Sequence, residues 1–168
     1  MDDSPILAPN SGSILPEIQS NSILRIALFE QNEDIYVLIA KEYSLECFLL
    51  FEEEKHLSKC CSMPSLDGKQ IIDFLLSKNT IFVLCLDGTI LITTLIFQED
   101  GSITCSTWKE LSNNRSSSSN SHPPVKLLSL NDNTIVVMYL QNEMRFVNTD
   151  TFDVVSFESM EFTCPAVL

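Results

Sequence analysis

The side chains that could take part in chemistry are two histidines, six cysteines and short runs of glutamate and serine. His56 lies four residues before the adjacent pair Cys60-Cys61, and imidazole and thiolate are both ligands of zinc. Zinc sites, however, normally use Cys-x₂₋₄-Cys pairs followed by a second pair downstream. No second pair follows Cys60-Cys61. The spacing therefore favours buried thiols over a metal site.

The second histidine does not supply the base that a nucleophile needs. His122 lies in Ser-Asn-Ser-His-Pro-Pro, a composition typical of a linker. Without a positioned histidine, a serine or cysteine nucleophile lacks its usual general base. Four glycines in the whole chain and no Gly-rich phosphate loop disfavour nucleotide chemistry. We predict a protein that is not an enzyme, with no catalytic residue and no cofactor; the alternative is a hydrolase with an unrecognised site.

Two polar runs are candidates for binding or regulation. The acidic run is either a contact for a basic partner or a solvated hairpin end. The serine run is either a docking loop that phosphorylation tunes or an inert linker. The candidate residues are Glu52, Glu53, Glu54, Ser116, Ser117, Ser118 and Ser119.

The elements that would position these residues follow from an internal repeat. An apolar residue, a polar stretch and then Ile-x-Val-(Leu/Met) occur three times along the chain. The repeated isoleucines are Ile35, Ile81 and Ile135, and the apolar residues aligned before them are Leu28, Phe74 and Leu128. The spacings are 81 − 35 = 46 and 135 − 81 = 54, so the third unit follows an insertion of eight residues. A repeat of this length predicts three equivalent structural units.

Each unit reads as four short strands, rich in β-branched and aromatic residues and separated by turn residues. In the second unit the fourth strand is predicted over Ile103–Glu110, and Asp87-Gly88 is predicted to form a type I′ hairpin turn. The second strand of each unit is apolar almost throughout, which is typical of strands covered on both faces. The predicted organisation is an arm over 1–22, units over 23–66, 67–111 and 125–168, and a linker over 112–124.

Charge and cysteine usage restrict the partners and the compartment. The formal net charge of −13 disfavours direct binding to nucleic acid or to a membrane surface, because both are bound mainly through lysine and arginine. An acidic N-terminus without a signal-peptide pattern favours a reducing compartment, cytoplasmic, nuclear or both. The expected partners are other proteins.

Four-stranded units of about 46 residues resemble the blades of a β-propeller of the WD-repeat type. The resemblance covers residues 23–158, although the only tryptophan, Trp108, is followed by Lys109 rather than by aspartate. It implies an all-β fold of about three four-stranded antiparallel propeller-like blades. Three blades do not close a ring, so the resemblance implies an incomplete propeller that a partner or further blades complete. A twisted open stack of sheets or a sandwich is the structural alternative.

The function that this resemblance implies is a protein–protein interaction scaffold, as in the N-terminal parts of large subunits of checkpoint, DNA-repair or trafficking complexes. The alternative is a non-catalytic regulatory subunit that stabilises an enzyme by packing against it. In both cases the expected partners are the remaining blades or the other subunits of a complex.

Overall fold

The structure is a computed structural model, and it describes residues 22–111, 123–140, 144–151 and 153–157. The described residues form β-strands joined by turns and short loops, which confirms the predicted all-β class. The strands are β1 (Ile23–Gln31), β2 (Asp34–Lys41), β3 (Leu45–Phe51), β4 (His56–Cys61), β5 (Ile71–Ser77), β6 (Thr80–Cys85), β7 (Ile90–Phe97), β8 (Ile103–Cys105), β9 (Lys109–Leu111), β10 (Pro124–Asn131), β11 (Thr134–Tyr139), β12 (Met144–Asn148) and β13 (Val154–Phe157).

These strands form three antiparallel sheets, each built from consecutive strands. Sheet 1 has the order β1-β2-β3-β4, sheet 2 the order β5-β6-β7-β8 with β9 also paired to β7, and sheet 3 the order β10-β11-β12-β13. The repeat therefore corresponds to one up-and-down sheet per unit. The described sheets do not close into a ring.

The fourth strand of the second unit is broken, and the prediction of one continuous strand there was wrong. β8 and β9 both pair with β7, but Ser106 lies between them and its side chain replaces a step of the ladder. Its hydroxyl oxygen accepts a hydrogen bond from the Thr94 N–H at 2.9 Å, and its carbonyl accepts one from the Thr93 hydroxyl at 2.7 Å. The Ser106 hydroxyl thus accepts from a backbone N–H of β7 at the point where the pairing of β8 ends and that of β9 has not begun.

The turn at Asp87-Gly88 also differs from its prediction. A type I′ turn needs positive φ at both central residues, but only Gly88 has it, at 84°. The Gly88 N–H donates to the Cys85 carbonyl at 2.9 Å, so Leu86, Asp87 and Gly88 form a three-residue loop that ends in a left-handed glycine. Two adjacent positive φ values, 54° and 69°, occur instead at Asn32 and Glu33, between β1 and β2.

Sheet 2 lies between the other two sheets and is covered on both of its faces. Ile81, Val83 and Cys85 of β6 belong to the core shared with sheet 1. Phe82 and Leu84 alternate with them along the strand and belong to the core shared with sheet 3. The apolar run of β6 is therefore explained, as predicted, by burial on both faces.

The first strands of the three sheets lie next to each other, because β5 contacts both β1 and β10. Asp73 on β5 is buried and connects all three. Its Oδ1 is paired with the Arg25 guanidinium of β1, and its Oδ2 accepts a hydrogen bond from the Leu127 N–H of β10 at 2.9 Å. Oδ1 also accepts a bond from the Phe74 N–H at 2.9 Å. A buried carboxylate needs such partners to offset its desolvation.

Candidate interaction faces

Each sheet has two faces, and we name each face after the neighbouring sheet towards which it points. The N-side face points towards the preceding sheet of the repeat, and the C-side face points towards the following one. In the second strands, the N-side residues are Ile35 and Val37, Ile81 and Val83, and Ile135 and Val137. Within the described residues, the C-side face of sheet 1 packs on the N-side face of sheet 2, and sheet 2 packs on sheet 3 in the same way.

Strand pairing identifies the equivalent positions in the first strands. Leu28 pairs with Val37, Phe74 with Val83, and Leu127 with Val137. The sequence repeat aligns Leu128 with Leu28 and Phe74. The structure instead places Leu127 at the equivalent position, because a bulge between Ser129 and Asn131 shifts the register of β10 by one residue.

The three equivalent residues differ sharply in exposure. Phe74 and Leu127 are 0% exposed, because a preceding sheet covers them. Leu28 is 67% exposed. Among the described strands, none packs on the N-side face of sheet 1. The first-strand position that is buried in both contacts between sheets is therefore exposed to solvent in sheet 1.

The N-side face of sheet 1 is apolar over several strands. Ile26 pairs with Ile39, and Leu57 with Leu50, so both lie on the same face as Leu28. Ile26 and Leu57 are exposed. Val37 lies between Leu28 and Phe48 in the sheet and is buried. At one border, Glu46 is ion-paired with Lys41 at 2.7 Å and with Lys59 at 3.4 Å.

The C-side face of sheet 3 is the second face on which no described sheet packs, although Val136 on it is only 6% exposed. Leu128 pairs with Val136 and lies opposite to the buried Leu127. Its equivalent in sheet 2 is Leu75, which pairs with Phe82 and packs against the core between sheets 2 and 3. Leu128 itself is 40% exposed.

The predicted acidic run lies in the turn between β3 and β4, next to Ile35 and Leu50 at one end of the N-side face of sheet 1. Glu52, Glu53 and Glu54 are exposed and line a surface cleft of about 420 Å³ together with Glu33 and Asp34. The Glu54 carboxylate contacts His56 Nδ1 at 3.0 Å, and the His56 ring stacks on Phe51. His56 is thus at the opposite end of β4 from Cys60 and Cys61. Binding of a basic partner by the three glutamates stays a prediction.

The predicted regulatory serines Ser116, Ser117, Ser118 and Ser119 lie outside the described residues. Their phosphorylation therefore stays a prediction. The predicted arm over 1–22 also lies outside them, except for Ser22.

Four cysteines come together between sheets 1 and 2, a grouping that sequence spacing did not indicate. Cys61 Sγ lies 2.7 Å from Cys105 Sγ, and Cys60 Sγ lies 3.5 Å from Cys47 Sγ. All four are free thiols. Burial raises the pKa of Cys47 and that of Cys105 far above the ordinary value. Protonated thiols are weak nucleophiles and weak metal ligands.

In the part of the chain that the structure describes, no cluster of three or more histidine, cysteine or acidic side chains has an arrangement that would hold a metal ion. Nor does any helix there have the length and apolar character needed to cross a bilayer.

The sequence matches no protein family and no curated protein. Among solved structures, the chain is similar to the computationally designed Ika8 protein, with 14% sequence identity and a TM-score of 0.36. The similarity covers 77% of this chain and 48% of the designed protein, so the chain spans about half the length of that protein. A similarity at this level identifies neither a fold family nor a function.

Proposed function

We propose that this chain is a non-enzymatic protein–protein interaction subunit of a larger complex, in the cytoplasm, the nucleus or both. Its three sheets are WD-repeat-like blades of an incomplete β-propeller, and its open faces are where partner sheets bind. The observation that carries the proposal is the exposure of Leu28, whose equivalents Phe74 and Leu127 are fully buried by a preceding sheet.

Part of the apolar surface of sheet 1 stays in contact with water. Complete burial of one leucine or isoleucine side chain is worth about 1.5–3 kcal/mol. Leu28, Ile26 and Leu57 on the N-side face of sheet 1 all remain exposed. Exposed apolar patches of this kind mark interaction sites on proteins. A partner that covers them gains the same burial that the internal sheet contacts already provide.

The arrangement of the first strands supports the propeller interpretation. In a propeller, one strand of each blade lies near the central axis, and the blades spread outwards from there. Here β1, β5 and β10 are the adjacent strands, and Asp73 connects them. Additional blades on either side would continue this arrangement.

The experiment is a quantitative affinity purification of the tagged full chain from cells. It compares the wild type with Leu28→Glu and with Leu86→Glu, a matched control in the turn between β6 and β7, where Leu86 is 50% exposed. The proposal expects a few stoichiometric partners with the wild type and with Leu86→Glu, and their loss with Leu28→Glu. Circular dichroism of the purified variants checks that both keep the β fold.

Two results would contradict the proposal. One is a wild-type chain that purifies alone and as a monomer. The other is a set of partners that Leu28→Glu leaves unchanged, since the open face of sheet 1 would then have no part in binding.

A further inference from the structure

Among the described sheets, one face of each kind has no other sheet packed on it. Three sheets have three N-side and three C-side faces, and the two internal contacts use two of each. The N-side face of sheet 1 and the C-side face of sheet 3 remain. Their central first-strand residues, Leu28 and Leu128, are exposed, whereas Phe74 and Leu75 at the equivalent positions of sheet 2 pack in the two cores.

The two open faces are complementary in the way that the internal faces are. In both internal contacts a C-side face meets an N-side face, and both contacts are apolar at their centres. The residues around Leu128 on sheet 3 include Val136 and Met138, which match Phe82 and Leu84 of sheet 2 in strand position and in apolar character. The chain therefore carries both halves of a third contact of the same type.

A single chain cannot bring these two halves together, because sheet 2 separates sheet 1 from sheet 3. We propose that the occupant of the open faces is a second copy of this chain, bound head to tail. Sheet 3 of each copy packs on sheet 1 of the other. This inference rests on the proposed function and names the partner at those faces.

The number of sheets fits this assembly. Two copies contribute 3 + 3 = 6 sheets, and propellers close with about four to eight blades. A head-to-tail contact forms a closed ring when its rotation closes and an open filament when it does not. Closure at two copies covers both open faces and leaves no unpaired apolar sheet face.

The test measures the mass of the full chain in solution by sedimentation equilibrium at micromolar concentration. The wild type is expected at twice the 18.9 kDa of one chain. Leu28→Glu and Leu128→Glu each place a glutamate on one side of both contacts between the copies. Each is expected to raise the dissociation constant of the dimer at least about thirtyfold, which corresponds to a loss of about 2 kcal/mol at an interface hot spot. Leu86→Glu is the control and is expected to remain dimeric.

Mixing the two damaged variants distinguishes head-to-tail binding from other dimers. In an equal mixture, the heterodimer has one undamaged contact, between sheet 3 of Leu28→Glu and sheet 1 of Leu128→Glu, and both glutamates lie in its other contact. Because that other contact can open while the undamaged one holds, the mixture is expected to associate more strongly than either variant alone and more weakly than the wild type. A dimer that paired two N-side faces would instead survive Leu128→Glu alone. If Leu28→Glu loses its circular dichroism signal, Ile26→Glu on the same face replaces it, because Ile26 is 52% exposed.

Several results would overturn the second-copy proposal: a monomeric wild type, a dimer that tolerates either glutamate, a mixture that stays monomeric, or an open polymer. These failures are separable from failure of the proposed function. If the wild type is monomeric but still captures other proteins from cells in a manner that depends on Leu28, the interaction subunit stands and the occupant of the face is a different chain.

Discussion

Replacement of Asp73 by alanine tests the contact that holds the three first strands together. The substitution removes the acceptor of the buried Leu127 and Phe74 N–H groups and the partner of Arg25. An unsatisfied buried N–H costs about 1–3 kcal/mol, and a hydrogen bond to a charged group contributes about 1.5–3 kcal/mol. The Arg25 side chain is 35% exposed and regains water, which reduces the second contribution. With two such N–H groups left unsatisfied, we expect a loss of about 2–6 kcal/mol in the free energy of unfolding.

The assay is urea unfolding followed by circular dichroism, with all variants at one protein concentration because association shifts apparent stability. For a chain of this length, a loss of 3 kcal/mol lowers Tm by about 6–12 °C. Asp132→Ala, in the exposed turn between β10 and β11, is the control and is expected to change stability by less than about 0.5 kcal/mol. A loss below about 1 kcal/mol for Asp73→Ala would refute the role that we give to this carboxylate.

Three further predictions concern local features of the fold. Gly101 has a φ of 83° and open space around it, so only backbone strain opposes a side chain there. Gly101→Ala is expected to reduce the free energy of unfolding in urea by about 1 kcal/mol, and Gly101→Asn by less. Hydrogen bonding to Lys41 lowers the pKa of Glu46 below 4.5. Glu46→Gln is therefore expected to reduce the free energy of unfolding by roughly 0.5–1 kcal/mol at pH 7, and not to change it once the pH falls below the lowered pKa. The exposed Glu53→Gln is the control. Burial raises the pKa of Cys85 from 9.0 to about 11. The rate of Cys85 alkylation in the native protein, followed by mass spectrometry, is therefore expected to rise about tenfold per pH unit up to pH 11. The free energy of unfolding is expected to fall as the pH rises from 9 to 11, because the unfolded chain loses this proton first.

The strands could be predicted from the sequence because short apolar runs are bounded by turn residues. The predicted second strand Thr80–Leu86, for example, differs from β6 only at its last residue. The repeat also predicted one sheet per unit correctly, because equivalent runs recur at equivalent spacing.

The features that could not be predicted depend on contacts between distant residues. Asp73 reads as an isolated charge within an apolar strand, and its partners Arg25 and Leu127 are 48 and 54 residues away. The bulge in β10 changed which of two adjacent leucines is buried, and no local signal in the sequence marks it. The grouping of Cys105 with Cys61 likewise follows from the packing of sheet 1 on sheet 2.

The measurement that tests the central claim most directly is the accessibility of residue 28 in intact cells. Leu28→Cys and, separately, Leu86→Cys are treated with a small maleimide, and labelling of each introduced cysteine is quantified by mass spectrometry relative to the same protein unfolded in urea. We predict that position 28 is protected at least about tenfold more than position 86, because a partner sheet covers it. Equal labelling at the two positions would show that the N-side face of sheet 1 stays open to water, and would contradict the account.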